Sequence, residues 1–131
     1  MQTEDNISVL VIEDQRELAH NISRYFEPLG YLTDFAYTGT QGLSLALENY
    51  YDVIILDVML PGKSGFEILK ELRADTAFAD LPILMLTARG QSRDRDIAQD
   101  AGVSRFMTKP FSNEEMLSAV RDLTASGTAD A

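Results

Sequence analysis

Val53-Ile54-Ile55-Leu56-Asp57-Val58-Met59-Leu60-Pro61-Gly62 is the stretch on which the reading of this chain turns. Its first four residues are β-branched or apolar without alternation, the pattern of a strand buried on both faces. Asp57 interrupts the run where an unpaired charge would cost several kcal/mol, so it needs a partner or a task. Pro61-Gly62 then ends the segment as a turn.

Working outward, similar apolar runs recur at Ser8-Val9-Leu10-Val11-Ile12 and Ile83-Leu84-Met85-Leu86, with shorter ones at 32–36 and at Arg105-Phe106-Met107. Between them lie segments whose apolar residues return every three or four positions: Leu18, Ile22, Tyr25 and Phe26, stopped near Pro28 and Gly30; then Leu43, Ala46, Leu47 and Tyr50; then Ile68, Leu69 and Leu72 in a helix beginning near Ser64. A fourth helix, roughly 94–101, has only Ile97, Ala98 and Ala101 as anchors before Gly102 and is expected to pack least firmly. The last helix opens on Ser112-Asn113-Glu114-Glu115, which has capping-box form, and carries Met116, Leu117, Val120 and Leu123. Strand and helix alternate throughout, so the expected fold is α/β: a doubly wound, five-stranded parallel sheet with helices on both faces. The expected organisation is a lead-in over 1–7, one domain over 8–124, and a flexible tail over 125–131, where small polar residues take over.

Composition narrows the function. With 131 residues, 45% of them apolar, the chain suffices for one core. Eleven basic against 21 acidic residues give a net charge of -10, which argues against direct nucleic acid or membrane binding. No cysteine is present, excluding disulfides and thiolate chemistry. The acidic start and the lack of a membrane-length apolar run point to a cytoplasmic protein.

In a doubly wound sheet, ligands bind beyond the carboxyl ends of the strands. At those ends the sequence puts Glu13 and Asp14, Asp57, Thr87, and, across Thr108, Lys109. Three carboxylates gathered at one edge repel one another and call for a hard divalent cation, Mg2+ before Mn2+ or Ca2+. Lys109 adds a fixed positive charge and Thr87 a hydroxyl donor. Together they describe a pocket for a phosphoryl group beside a carboxylate nucleophile, Asp57. Other readings of the same residues are structural: Asp14 with Glu17 has capping-box form, Thr87 could bond local backbone, Phe106 could be a core aromatic, and His20 reads as a surface residue.

The ordered set Glu13-Asp14, Asp57-Val58-Met59-Leu60-Pro61-Gly62, Thr87-Ala88 and Lys109-Pro110-Phe111 resembles the response-regulator receiver domain of two-component signalling, over about residues 9–123 and in the single-domain, chemotaxis-regulator-like form. The resemblance implies the flavodoxin-like strand order 2-1-3-4-5. It implies that Asp14 and Asp57 bind Mg2+ directly, that Glu13 assists through water, and that the Met59 carbonyl is a further ligand. Asp57 would accept the phosphoryl group from a sensor histidine kinase or histidine phosphotransfer protein. Thr87 and Phe106 would act as switch residues, and Lys109, on a cis bond to Pro110, would pair with the phosphoryl group. Output would pass through the face of the fourth helix, fifth strand and fifth helix. Such a domain is not an enzyme, although it can catalyse its own phosphorylation and dephosphorylation. Met59 and Arg89 occupy positions that influence the phosphoryl lifetime in this family.

Two other functions compete. A haloacid-dehalogenase-like phosphatase expects a second Asp two residues after the nucleophile, and Met59 stands there. A phosphorylation-independent receiver-like binding module would have lost one of the acids or the lysine, and this chain keeps them all. From its ends the chain is read either as a complete single-domain regulator or as an N-terminal fragment.

Overall fold

A computed structural model describes residues 7–88 and 92–129, with side chains from 93 to 125 in the second stretch. Five parallel strands, β1 (Ser8–Ile12), β2 (Leu32–Ala36), β3 (Val53–Asp57), β4 (Ile83–Thr87) and β5 (Arg105–Thr108), form one sheet in the order β2-β1-β3-β4-β5. Helices α1 (Arg16–Phe26), α2 (Gly39–Glu48), α3 (Gly65–Ala74), α4 (Ser92–Asp100) and α5 (Asn113–Ala129) connect and flank them. The reversal of strand order falls between β1 and β3, and there the crevice at the carboxyl edge opens.

The sheet is covered on both faces because alternate side chains of each central strand feed two cores. Val9, Val11, Val53, Ile55, Leu84 and Leu86 point into the cluster closed by Ile22 and Phe26 of α1 and Met116 and Val120 of α5. Leu10, Ile12, Ile54, Leu56, Ile83 and Met85 point into the other, closed by Ala46 of α2 and Ile68, Leu69 and Leu72 of α3. Every residue of β3 and β4 is buried, as the unbroken apolar runs imply. Two helices start with reciprocal caps. Ser64 Oγ accepts from Glu67 N at 3.2 Å while Ser64 N donates to Glu67 Oε1 at 2.9 Å, and Ser112 and Glu115 do the same at 3.0 and 2.8 Å.

Several expectations are corrected. Asp14 does not cap α1: the N-cap is Gln15, without a side-chain bond. Leu47 and Tyr50 do not face the core but are 53% and 80% exposed. The buried stripe of α2 is Gly39, Gly42 and Ala46, because Gly42 sits directly on the Ile12 side chain, and Tyr50 lies beyond the helix end. Ile97 is at 36% exposure, leaving Ala98 the buried residue among the described side chains of α4. The helical backbone of α5 extends to Ala129. Arg89 and the first six residues of the lead-in lie outside the described residues. No helix among the described residues is long and apolar enough to cross a membrane.

Candidate functional site

Glu13 and Asp14 follow β1, Asp57 ends β3, Thr87 ends β4, and Lys109 follows β5, so parallel register carries all five to one edge of the sheet. Pairing of Asp57 with Leu86 and of Thr87 with Thr108 sets the level of each strand end, and Lys109 N donates to Thr87 O at 2.7 Å. Carboxylate oxygens of Glu13, Asp14 and Asp57 come within 4.8 Å of one another.

Glu13 is fully buried and Asp57 is 4% exposed, whereas Asp14 reaches solvent. Lys109 Nζ lies 2.8 Å from Glu13 Oε1 and 3.5 Å from Asp57 Oδ1, so one ammonium serves two buried carboxylates. The shorter contact is an ion pair to Glu13 Oε1, a buried oxygen with no further hydrogen-bond partner among the described residues. Oε2 of the same residue accepts from Gln15 N at 3.0 Å. Burial pushes the Glu13 carboxyl above the ordinary carboxylate range, against the opposing pull of Lys109. Burial likewise raises Asp57; Lys109 again lowers it, and the neighbouring Asp14 charge adds to the rise. Buried oxygens with this much unmet charge suit a hard divalent cation such as Mg2+.

The loop after β3 holds Asp57 in place from behind. Gly62 at φ 82° takes a turn conformation that L side chains rarely adopt, and Gly39 N donates to Pro61 O at 2.9 Å, tying the loop to α2. Gly65 N donates to Val58 O at 2.8 Å. A Cβ at Gly65 would collide with the Asp57 carbonyl, so only glycine lets α3 start this close to Asp57. The Met59 side chain, 74% exposed, points away from the core. Lys109-Pro110 is cis, and Phe106, on β5 opposite Met85, is partly buried against the α2 and α3 core.

The residues named from sequence at the four strand exits are therefore brought together. Sequence reasoning missed the Lys109 contact with Glu13, which no local motif encodes. It also missed the support from Gly65, although the Ser64-x-x-Glu67 capping pattern was available to mark where α3 begins.

Comparison with known proteins agrees with this geometry. The family described as response regulator receiver domain matches residues 9–121. The DNA-binding dual master transcriptional regulator RpaA of Synechocystis sp. is 42% identical over 115 residues, 88% of this chain and 48% of that protein. Transcriptional regulatory protein DltR of Streptococcus agalactiae is 38% identical over 113 residues, 86% of this chain and 50% of that protein. The chain thus spans about half the length of the curated relatives it matches. Among solved structures, the receiver domain of Francisella response regulator 1452 superposes with a TM-score of 0.86 at 33% identity, covering 93% of this chain and 99% of that one. Chemotaxis response regulator CheY4 of Vibrio cholerae gives 0.84 at 29% identity, covering 89% and 98%. With its strand order, its acidic crevice and a family match across most of its length, this chain belongs to the response regulator receiver domain family.

Proposed function

We propose that this domain is a phosphorylation switch in which Asp57 accepts a phosphoryl group from the phosphohistidine of a sensor histidine kinase or phosphotransfer protein. The observation that carries the reading is the convergence of two further carboxylates and one lysine around the nearly buried Asp57. An Asp57 oxygen attacks phosphorus, forming the P–O bond of an acyl phosphate as the P–N bond to the donor imidazole breaks. The freed imidazole then takes up a proton. Lys109 is close enough to move from Asp57 to a phosphoryl oxygen, and the Thr87 hydroxyl, one strand over, is the donor for another. Asp14, Asp57 and the Met59 carbonyl would hold Mg2+, with Glu13 acting through water; Mn2+ or Ca2+ would fit the same oxygen donors. When bound, the ion neutralises the carboxylates and the incoming phosphoryl oxygens.

Phosphorylation then draws Thr87 toward the phosphoryl group and Phe106 inward, and shifts the α4-β5-α5 face between two arrangements that a partner protein distinguishes. Support for motion there comes from the thin anchoring of α4, in which Ala98 is buried and Ile97 is not. The role is that of a signalling domain, not of an enzyme with turnover, although its residues promote their own modification.

Incubation with acetyl phosphate and Mg2+, read by intact mass, tests the reading. One phosphoryl adduct is expected on the native chain and none on Asp57→Asn. An adduct of equal yield on the variant would overturn the assignment of Asp57, and sustained hydrolysis of a generic phosphate ester would favour a phosphatase.

A further inference from the structure

Among the described residues, the hydrogen bonds that anchor helix α4 lie beyond its C-terminal end. Beyond its C-terminus, Arg73 of α3 donates to Gly102 O at 2.8 Å, to Phe78 O at 2.7 Å and to Ser104 Oγ at 3.2 Å, clamping the turn into β5. Val103 N closes back on Ala98 O at 3.1 Å. Nearer the N-terminus the described side chains are mainly charged, and Arg93, Arg95 and Asp96 are exposed. There the Arg95 guanidinium carbon stands 5.6 Å from the centroid of the Phe106 ring. That contact joins the first half of α4 to the residue proposed above as a switch.

We propose that Arg95 is a positioning residue: its guanidinium, lying over the Phe106 ring, holds that ring against α4 and opposes its inward turn until Asp57 is modified. The inference rests on the phosphorylation reading given above. Cation–π attraction is significant out to about 6 Å from the ring centroid, so at 5.6 Å there is little room for the ring to move without losing it. A contact of this kind at an exposed position biases a two-state equilibrium by about two- to fivefold. Any ligand that selects the inward arrangement therefore binds more weakly by the same factor while Arg95 is present. Simple electrostatics gives the opposite sign, because deleting a cation lowers the local attraction for an anion.

The test is an NMR titration of the full chain with beryllium fluoride in excess Mg2+, following the amides of Thr87 and Lys109. Measured proteins are the native chain, Arg95→Ala, Arg95→Lys, Phe106→Leu and the Arg95→Ala, Phe106→Leu double variant. Arg95→Ala is expected to bind about two- to fivefold more tightly, Arg95→Lys to fall between it and the native chain, and Arg95→Ala to have no effect once Phe106 is Leu. Unchanged or weaker binding by Arg95→Ala, or an equal gain in the Phe106→Leu background, overturns the role of Arg95. In either case the phosphorylation reading still stands if the native chain binds and Asp57→Asn, titrated alongside as a control, does not. Failure of the native chain itself to bind would defeat both.

Discussion

Replacing Asp57 by Asn should make the metal-free protein more stable, although it removes the proposed phosphoryl acceptor. Oxygens of Glu13 and Asp14 are each within 4.8 Å of an Asp57 oxygen. At an effective dielectric near 20, each such pair repels by about 3 kcal/mol, or about 7 together before rounding. The Lys109 ammonium at 3.5 Å returns about 5 kcal/mol on the same scale. The charge on Asp57 is thus unfavourable by about 2 kcal/mol before any cost of burial, and a neutral, nearly isosteric amide removes it. For a domain of this size the gain corresponds to a rise in Tm of about 8 °C in EDTA. Added Mg2+ reverses the balance: at ten times Kd it stabilises the native chain by about 1.4 kcal/mol and should do little for the variant. Acidity supplies an independent check. Burial raises Asp57 and Glu13 above their ordinary values of 3.8 and 4.5. Their stabilising contribution is therefore complete below those values and is lost as pH rises through the raised ones. The advantage of Asp57→Asn should appear as pH climbs out of the carboxylate range and vanish in acid. Differential scanning calorimetry from pH 4 to 8, with EDTA and with Mg2+, measures all of this. A variant that melts at or below the native chain in EDTA at pH 7, or that gains equally from Mg2+, would refute the account of the site as a strained acidic cluster.

Two further substitutions probe the supports of the site. Lys109→Met leaves the fully buried Glu13 and the nearly buried Asp57 without their shared cation. It should lower stability in EDTA by about 3 kcal/mol in urea titrations at pH 7, and the loss should shrink near pH 4, where both carboxyls can take up protons. Gly65→Ala forces a Cβ onto the Asp57 carbonyl. The resulting shift should cost about 2 kcal/mol and slow modification by acetyl phosphate, and a variant with native Tm and rate would show that the α3 start does not position Asp57.

Much of the fold could be read from period alone, because β3 and β4 are unbroken apolar runs up to their last residues, Asp57 and Thr87, and strands of that kind have one place to go, the middle of a covered parallel sheet. The site followed from the same logic, since polar residues at the ends of such strands must share an edge. Where the reading failed, the deciding information was not local. In α2, Leu43, Leu45, Ala46 and Leu47 offer overlapping stripes, and the choice among them was made by the seating of Gly42 on Ile12, a strand distant in sequence. Asp14 and Glu17 satisfied a capping pattern, yet Glu13 supplied the bond to the Gln15 amide and left Asp14 facing the site. Arg73 gave no sign in the sequence of its three bonds to the turns around β4 and β5, because its acceptors are two backbone carbonyls and one hydroxyl.

Lys109 is the clearest case, and it bears on how the proposed switch would work. Sequence places it at the site but says nothing of its preference between acids, and in this structure it lies closer to Glu13 than to Asp57. With all three acids ionised, the residues carry three negative charges and one positive, and a bound divalent cation brings the cluster to neutrality. Transfer of a phosphoryl group cancels the charge on Asp57 but adds a dianion, so the cluster gains one net negative charge. Among the described residues, Lys109 is the cation paired with the cluster that could answer that change by moving, and the contact it must loosen is the one with Glu13. Because Glu13 Oε1 has no hydrogen bond to replace it, retreat of Lys109 exposes a buried carboxylate to its full burial cost unless the metal or water takes over. If the proposed phosphoryl transfer occurs, the resting Lys109–Glu13 pair would act as a brake that a bound ion or water helps to release.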